Sequence, residues 1–169
     1  IREKGTDRSR FFRGQVDKYG WVDIGSSFLL SDLLAACLLA QLENVVSIQG
    51  RREEIWLEYH RELTDWATRA GVRGPVVPPH CRQPFHMYYL LLPDIETRQR
   101  LIDHLKAVGI LAVFHYLPLN RSRMAERLKA TNDCPVAENV SDRLLRLPFS
   151  SGLSPSAQRR VIDAVLSFR

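Results

Sequence analysis

Cysteine is scarce in this chain of 169 residues: there are three, Cys37, Cys81 and Cys134. Their odd number and long, irregular spacing match neither a disulfide framework nor a zinc pattern, and they read as free thiols in a reducing compartment, the cytoplasm. Long apolar runs are also missing. None reaches the roughly 18–20 residues that a membrane-spanning helix needs, so no membrane is expected as a partner. The longest candidate, Phe28 to Leu42, is broken by Ser31 and Asp32 and reads as a buried helix. There is no glycine-rich phosphate loop and no paired-histidine motif, and His80, His86, His104 and His115 are scattered, so no metal site is expected. One-signed charge is absent as well. The formal charge is +5, but the basic residues alternate with acids, as in "GRREEIWLEYHREL", which reads as a solvated helix face and not as a nucleic-acid surface. The chain opens on Ile1, directly in charged sequence with no signal-peptide pattern, and reads as a piece of a longer protein.

What is present is an ordinary globular composition, 45% hydrophobic and 25% charged. Residues 1–24 are polar and aperiodic and read as the end of a helix followed by a long loop. Its Phe11, Phe12, Tyr19 and Trp21 argue against disorder. Ser31 is placed to cap a short helix to Gln41 that is apolar nearly all round, and such a helix must be covered by its own domain or by a partner chain. A longer helix, about 43–69, carries an apolar stripe at Val45, Ile48, Ile55, Tyr59, Leu63 and Trp66, and the Gly/Pro stretch 71–79 then reads as a linker. These signals divide the chain into 1–42, 43–79 and 80–169.

The third part alternates. "FHMYYLLLP" is a strand closed by Pro93; Asp94 caps a helix that Gly109 ends; "ILAVFHY" is a second strand; "SDRLLRLPF" ends in a third; and Ser154-Pro155 opens a last helix. Residues 121–132 hold a short helix or an excursion. The order predicts an α/β fold whose small domain is α+β: a small sheet with helices on one face, plus the long linking helix. In "AVFHYLPLN" a core strand finishes on His115 and Tyr116 before Pro118 breaks the ladder. Strand C-terminal ends are where α/β proteins tend to hold ligands, which makes His115 and Tyr116 candidate site residues.

"DIGSSFLLSDLLAACLLAQLE", "AVFHYLPLN" and "SDRLLRLPFSSGLSPSAQRRVIDAV" together resemble the C-terminal portion of the sugar-nucleotide aminotransferases, pyridoxal-phosphate enzymes of fold type I. The opening, residues 1–27, is similar to the subgroup that makes dTDP-4-amino-4,6-dideoxygalactose for enterobacterial common antigen. The resemblance implies transfer of an amino group from glutamate to the C4 keto carbon of a dTDP-sugar, in a homodimer with the active site at the subunit interface. It places Ser27 near the cofactor phosphate, Trp21 near the sugar, and His115 and Tyr116 against the substrate. Where the wider family has Asn-x-Arg this chain has Ser27-Phe28-Leu29, and it has Asn120 where a histidine is usual. Lys4, Lys18, Lys106 and Lys129 do not sit in the motif of the family's Schiff-base lysine, so the chain carries no expected catalytic residue and should be inactive by itself. The rival reading is a non-catalytic sugar-nucleotide-binding or regulatory module of the same fold.

Overall fold

The computed structural model describes residues 5–17, 22–26, 28, 30–130 and 132–169, which fall into two compact units, Ile1–Val45 and Val46–Arg169.

In the first unit, α1 (Arg8–Phe12) is a five-residue turn of helix inside the stretch expected to be loop. The carbonyl of Gly5 accepts the N–H groups of Val22 (2.8 Å) and Asp23 (3.0 Å). Gly5 has φ +73°, and a Cβ there would lie 1.9 Å from the Asp23 carbonyl oxygen, so only glycine permits this approach. Helix α2 (Asp32–Glu43) begins where expected, the Ser31 hydroxyl accepting the Leu34 N–H. None of its residues is buried, and Leu33 is 81% exposed. Nothing among the described residues covers the helix that the sequence says must be covered.

The second unit is built on α3 (Val45–Arg69), whose Ile55, Tyr59 and Leu63 are fully buried and whose Trp56, Trp66 and Ala67 are nearly so. Three- and four-residue steps put these side chains on one face. The Tyr59 hydroxyl donates to the Pro148 carbonyl at 2.9 Å, and burial pushes its pKa up. Strand β1 (Tyr89–Leu91) follows the Gly/Pro stretch, and an isolated bridge between Arg73 and Leu91 extends its edge. The Asp94 carboxylate caps α4 (Ile95–Ala107) by accepting the Thr97 N–H at 2.7 Å, a bond that lowers the carboxyl pKa. Strand β2 (Val113–Phe114) is shorter than its apolar run. A 3-10 turn at Leu119–Arg121 and α5 (Arg123–Leu128) come next. Helix α6 (Pro135–Arg143) was not foreseen: Pro135 stands at a first-turn position, but Cys134 before it is no capping residue. It runs into β3 (Leu144–Arg146), and Ser154 caps α7 (Pro155–Leu166) through the Ala157 N–H.

The three strands form an antiparallel sheet in the order β1-β3-β2. Leu90 and Leu145, paired across β1 and β3, share one core with Ile55, Tyr59 and Leu63 of α3, Leu101 and Leu105 of α4, and Val161, Ile162 and Val165 of α7. One buried polar bond locks α7 to α3: the Gln158 amide donates to the Ile55 carbonyl at 2.8 Å. The helices thus cover one face of a small sheet, the arrangement read from the sequence.

Candidate substrate-binding face

Successive residues of a strand point to opposite sides, so the residues in register with the core leucines mark one face of the sheet and their neighbours the other. Leu90, Leu145 and Phe114 are in register on the helix side, where the guanidinium of Arg98 in α4 lies 5.9 Å from the Phe114 ring centre. Tyr89, Arg146 and Val113 are also in register, one residue out of phase, and therefore line the opposite side. His115 follows directly after the end of β2. Leu91 pairs with Arg73 and with Leu144 in the adjoining row.

His115 is half-buried, and its Nδ1 is buried without a hydrogen-bond partner among the described residues. An imidazole nitrogen in that state has lost water and gained nothing, which is costly unless a ligand completes it. The Tyr116 ring packs edge-on against it, 5.3 Å between centres, and is 78% exposed. The strand end is then fastened to α6. The Ser141 hydroxyl, nearly buried, donates to the Tyr116 carbonyl at 3.0 Å. Glu138 accepts from the Cys134 N–H at 3.1 Å, from the Asn120 amide at 2.6 Å and from Arg121. These donors, led by the Cys134 N–H, hold the Glu138 carboxyl below its usual range. The Asn120 amide also donates to the Asn132 carbonyl at 2.8 Å, so at this position the residue serves as a tie between two loops and α6. The described geometry thus brings His115 and Tyr116 together on a pinned strand end. Trp21 and Ser27 lie outside the described residues.

Sequence reasoning missed Tyr89 and Arg146. The alternation in "RLLRLP" sets Arg146 opposite in phase to Leu145, but only the register shows that it faces the same side as Tyr89 and Val113. Of the lysines described, Lys106 and Lys129 are both exposed, and Lys129 ends α5 in a left-handed conformation at φ +53°. His104 is structural, its Nε2 lying 2.9 Å from the Ala164 carbonyl oxygen and 3.1 Å from the Ser167 hydroxyl.

The chain belongs to the DegT/DnrJ/EryC1/StrS aminotransferase family, whose model matches residues 1–166. This is a pyridoxal-phosphate-dependent family. The chain is 31% identical over 163 residues to a dTDP-3-amino-3,4,6-trideoxy-alpha-D-glucose transaminase of Streptomyces venezuelae, covering 94% of this chain and 41% of that protein. To a GDP-perosamine synthase of Caulobacter vibrioides it is 32% identical over 166 residues, covering 94% and 43%. The crystal structure of a DegT DnrJ EryC1 StrS aminotransferase from Brucella abortus superposes with a TM-score of 0.75 at 29% identity, over 95% of this chain and 42% of that one. The chain thus spans about two fifths of the length of these relatives. No single helix among the described residues is long and apolar enough to cross a membrane.

Proposed function

We propose that this chain forms part of a pyridoxal-phosphate-dependent transaminase that converts a dTDP-4-keto-6-deoxyhexose to the 4-amino-4,6-dideoxyhexose, with glutamate as donor, for surface polysaccharide such as enterobacterial common antigen. The observation that carries the reading is His115: a half-buried imidazole with an unpartnered Nδ1, delivered by a strand end and pinned by Ser141 and Glu138. A sugar hydroxyl or a nucleotide oxygen is the partner such a nitrogen lacks. The relatives' names support the substrate class, one acting on a dTDP-sugar and another making GDP-perosamine. Their bases differ, while the diphosphate-linked amino sugar is common to both.

When bound, pyridoxal phosphate would supply the carrier chemistry that moves an amino group from the donor to the keto carbon of the sugar. This chain's contribution is to orient the sugar nucleotide through His115, with Tyr116 shielding the sugar from water. Ser27 would hold the cofactor phosphate and Trp21 the sugar. The described lysines provide no Schiff-base group, so residues 1–169 alone should bind but not turn over. The three sequence divisions, 1–42, 43–79 and 80–169, then correspond to the end of a large domain, a linking helix and the small domain, in a homodimeric enzyme. Exposed free thiols at Cys37, Cys81 and Cys134 fit a reducing cytoplasm.

The test is to incubate the parent protein with glutamate, pyridoxal phosphate and a dTDP-4-keto-6-deoxyhexose and to follow product by mass spectrometry. The 4-amino sugar nucleotide is expected, and the 169-residue chain alone should yield none. Saturable binding of the sugar nucleotide without any amino transfer by the parent would overturn this reading in favour of a non-catalytic module.

A further inference from the structure

We propose that Arg146, Tyr89 and His115 form an oxyanion-binding site on the side of the sheet away from α4. This rests on the reading that the face meets a sugar nucleotide and its amino donor, and it assigns the residue that would carry the charge. Arg146 lies on the central strand β3, flanked in register by Tyr89 of β1 and Val113 of β2, with His115 just past the end of β2. Its guanidinium is half-buried. The Nε has no partner among the described residues, and the one hydrogen bond from Nη2, to the Phe114 carbonyl, is long at 3.4 Å.

No carboxylate among the described residues pairs with Arg146. Arg121 and Arg159, in contrast, are engaged by Glu138 and Asp142 and by Glu58, Glu62 and Asp163 respectively. A half-buried cation without a counter-ion is costly by itself, and an anion arriving at it recovers that cost as charge-assisted hydrogen bonds. The planar fork of a guanidinium suits two oxygens of one phosphate or carboxylate, and the neighbouring phenol and imidazole add single donors. The ligand chemistry is therefore an anionic pair of oxygens. It has two sources in the proposed reaction, the diphosphate of the sugar nucleotide and a carboxylate of the amino donor.

The experiment titrates the 169-residue chain with inorganic pyrophosphate in one arm and 2-oxoglutarate in the other, by calorimetry and by amide shifts in NMR spectra. One of the two should saturate and move the amides of Tyr89, Arg146 and His115, and the arm that does so identifies the source. Arg146→Gln should weaken that binding about tenfold or more, and Tyr89→Phe by a smaller factor, with dispersed spectra retained. Arg127→Gln, an exposed arginine of α5, should leave it unchanged. Absence of saturation in both arms overturns the proposal. So does an Arg146→Gln affinity equal to that of the unaltered chain, or an Arg127→Gln loss as large as that of Arg146→Gln. Amino transfer by the parent protein is measured independently, so the oxyanion site can fail while the transaminase reading stands.

Discussion

Helices α2 and α3 follow one another in the chain and are built on opposite plans. In α3 the apolar residues from Ile55 to Trp66 hold a stripe that is buried against the sheet and α7, while Val45, expected in that stripe, is exposed with Val46 and Leu57, and charged residues such as Arg61 lie on the outside. In α2 the apolar residues go nearly all round, and every one of them is exposed. An amphipathic helix states in its own sequence where its partner must lie. A uniformly apolar helix states only that it must be covered, and leaves the cover unnamed. The second unit thus holds a buried core of its own, while α2 carries apolar surface that none of the described residues uses.

The sharpest way to break this contrast is to truncate one leucine in each region. Leu145 is fully buried at the centre of the sheet, so Leu145→Ala should cost about 3–5 kcal/mol in urea denaturation of the chain. Leu33→Ala, at an 81% exposed site, should stay within about 0.5 kcal/mol. An equal loss at Leu33 would mean that α2 is covered in solution.

Next in size is Gly5→Ala. The left-handed φ and the overlap with the Asp23 carbonyl should cost the first unit more than about 1 kcal/mol. Amide exchange should speed up at Val22 and Asp23 while the second unit's core amides keep their protection. Accelerated exchange throughout α3 would show that the two units do not behave differently.

Ser141→Ala removes the tie to the Tyr116 carbonyl and should cost about 1 kcal/mol, read as a lowered denaturation midpoint and a shifted Tyr116 ring signal. The smallest effect is one of pH. The Glu138 carboxyl sits below its ordinary value of 4.5, so its ties to Asn120, Arg121 and the Cys134 N–H are fully present above that value. They are lost as the pH falls through the lowered one. The Cys134 amide signal should therefore be constant from neutral pH to about 4.5 and move below it, and Glu138→Gln should abolish that movement. A signal that moves between pH 5 and 7 would contradict the assignment.

Much of the fold was legible because its signals are local. Ser31, Asp94 and Ser154 each cap the helix expected of them, Gly109 takes its positive φ just past α4, and the stripe of α3 is buried from Ile55 to Trp66. Helix α6 escaped because Cys134 gives no capping signal and its charged residues look like loop. The strands proved shorter than their apolar runs: β2 is limited to Val113 and Phe114, since pairing depends on a partner strand that a single run cannot reveal. The candidate site divides in the same way. His115 and Tyr116 stand out because a strand ends on them before a proline. Arg146 and Tyr89 are indistinguishable from surface residues until the register sets them on the same face.

The measurement that tests the account most directly is the kcat/KM of the parent enzyme for its sugar nucleotide after His115→Ala. If the unpartnered imidazole is completed by substrate, kcat/KM should fall by about ten- to a hundredfold, roughly 1–3 kcal/mol, while the affinity for pyridoxal phosphate and the thermal midpoint hold. A fully folded His115→Ala enzyme with unchanged kcat/KM would make the strand-end histidine a structural residue and contradict the account.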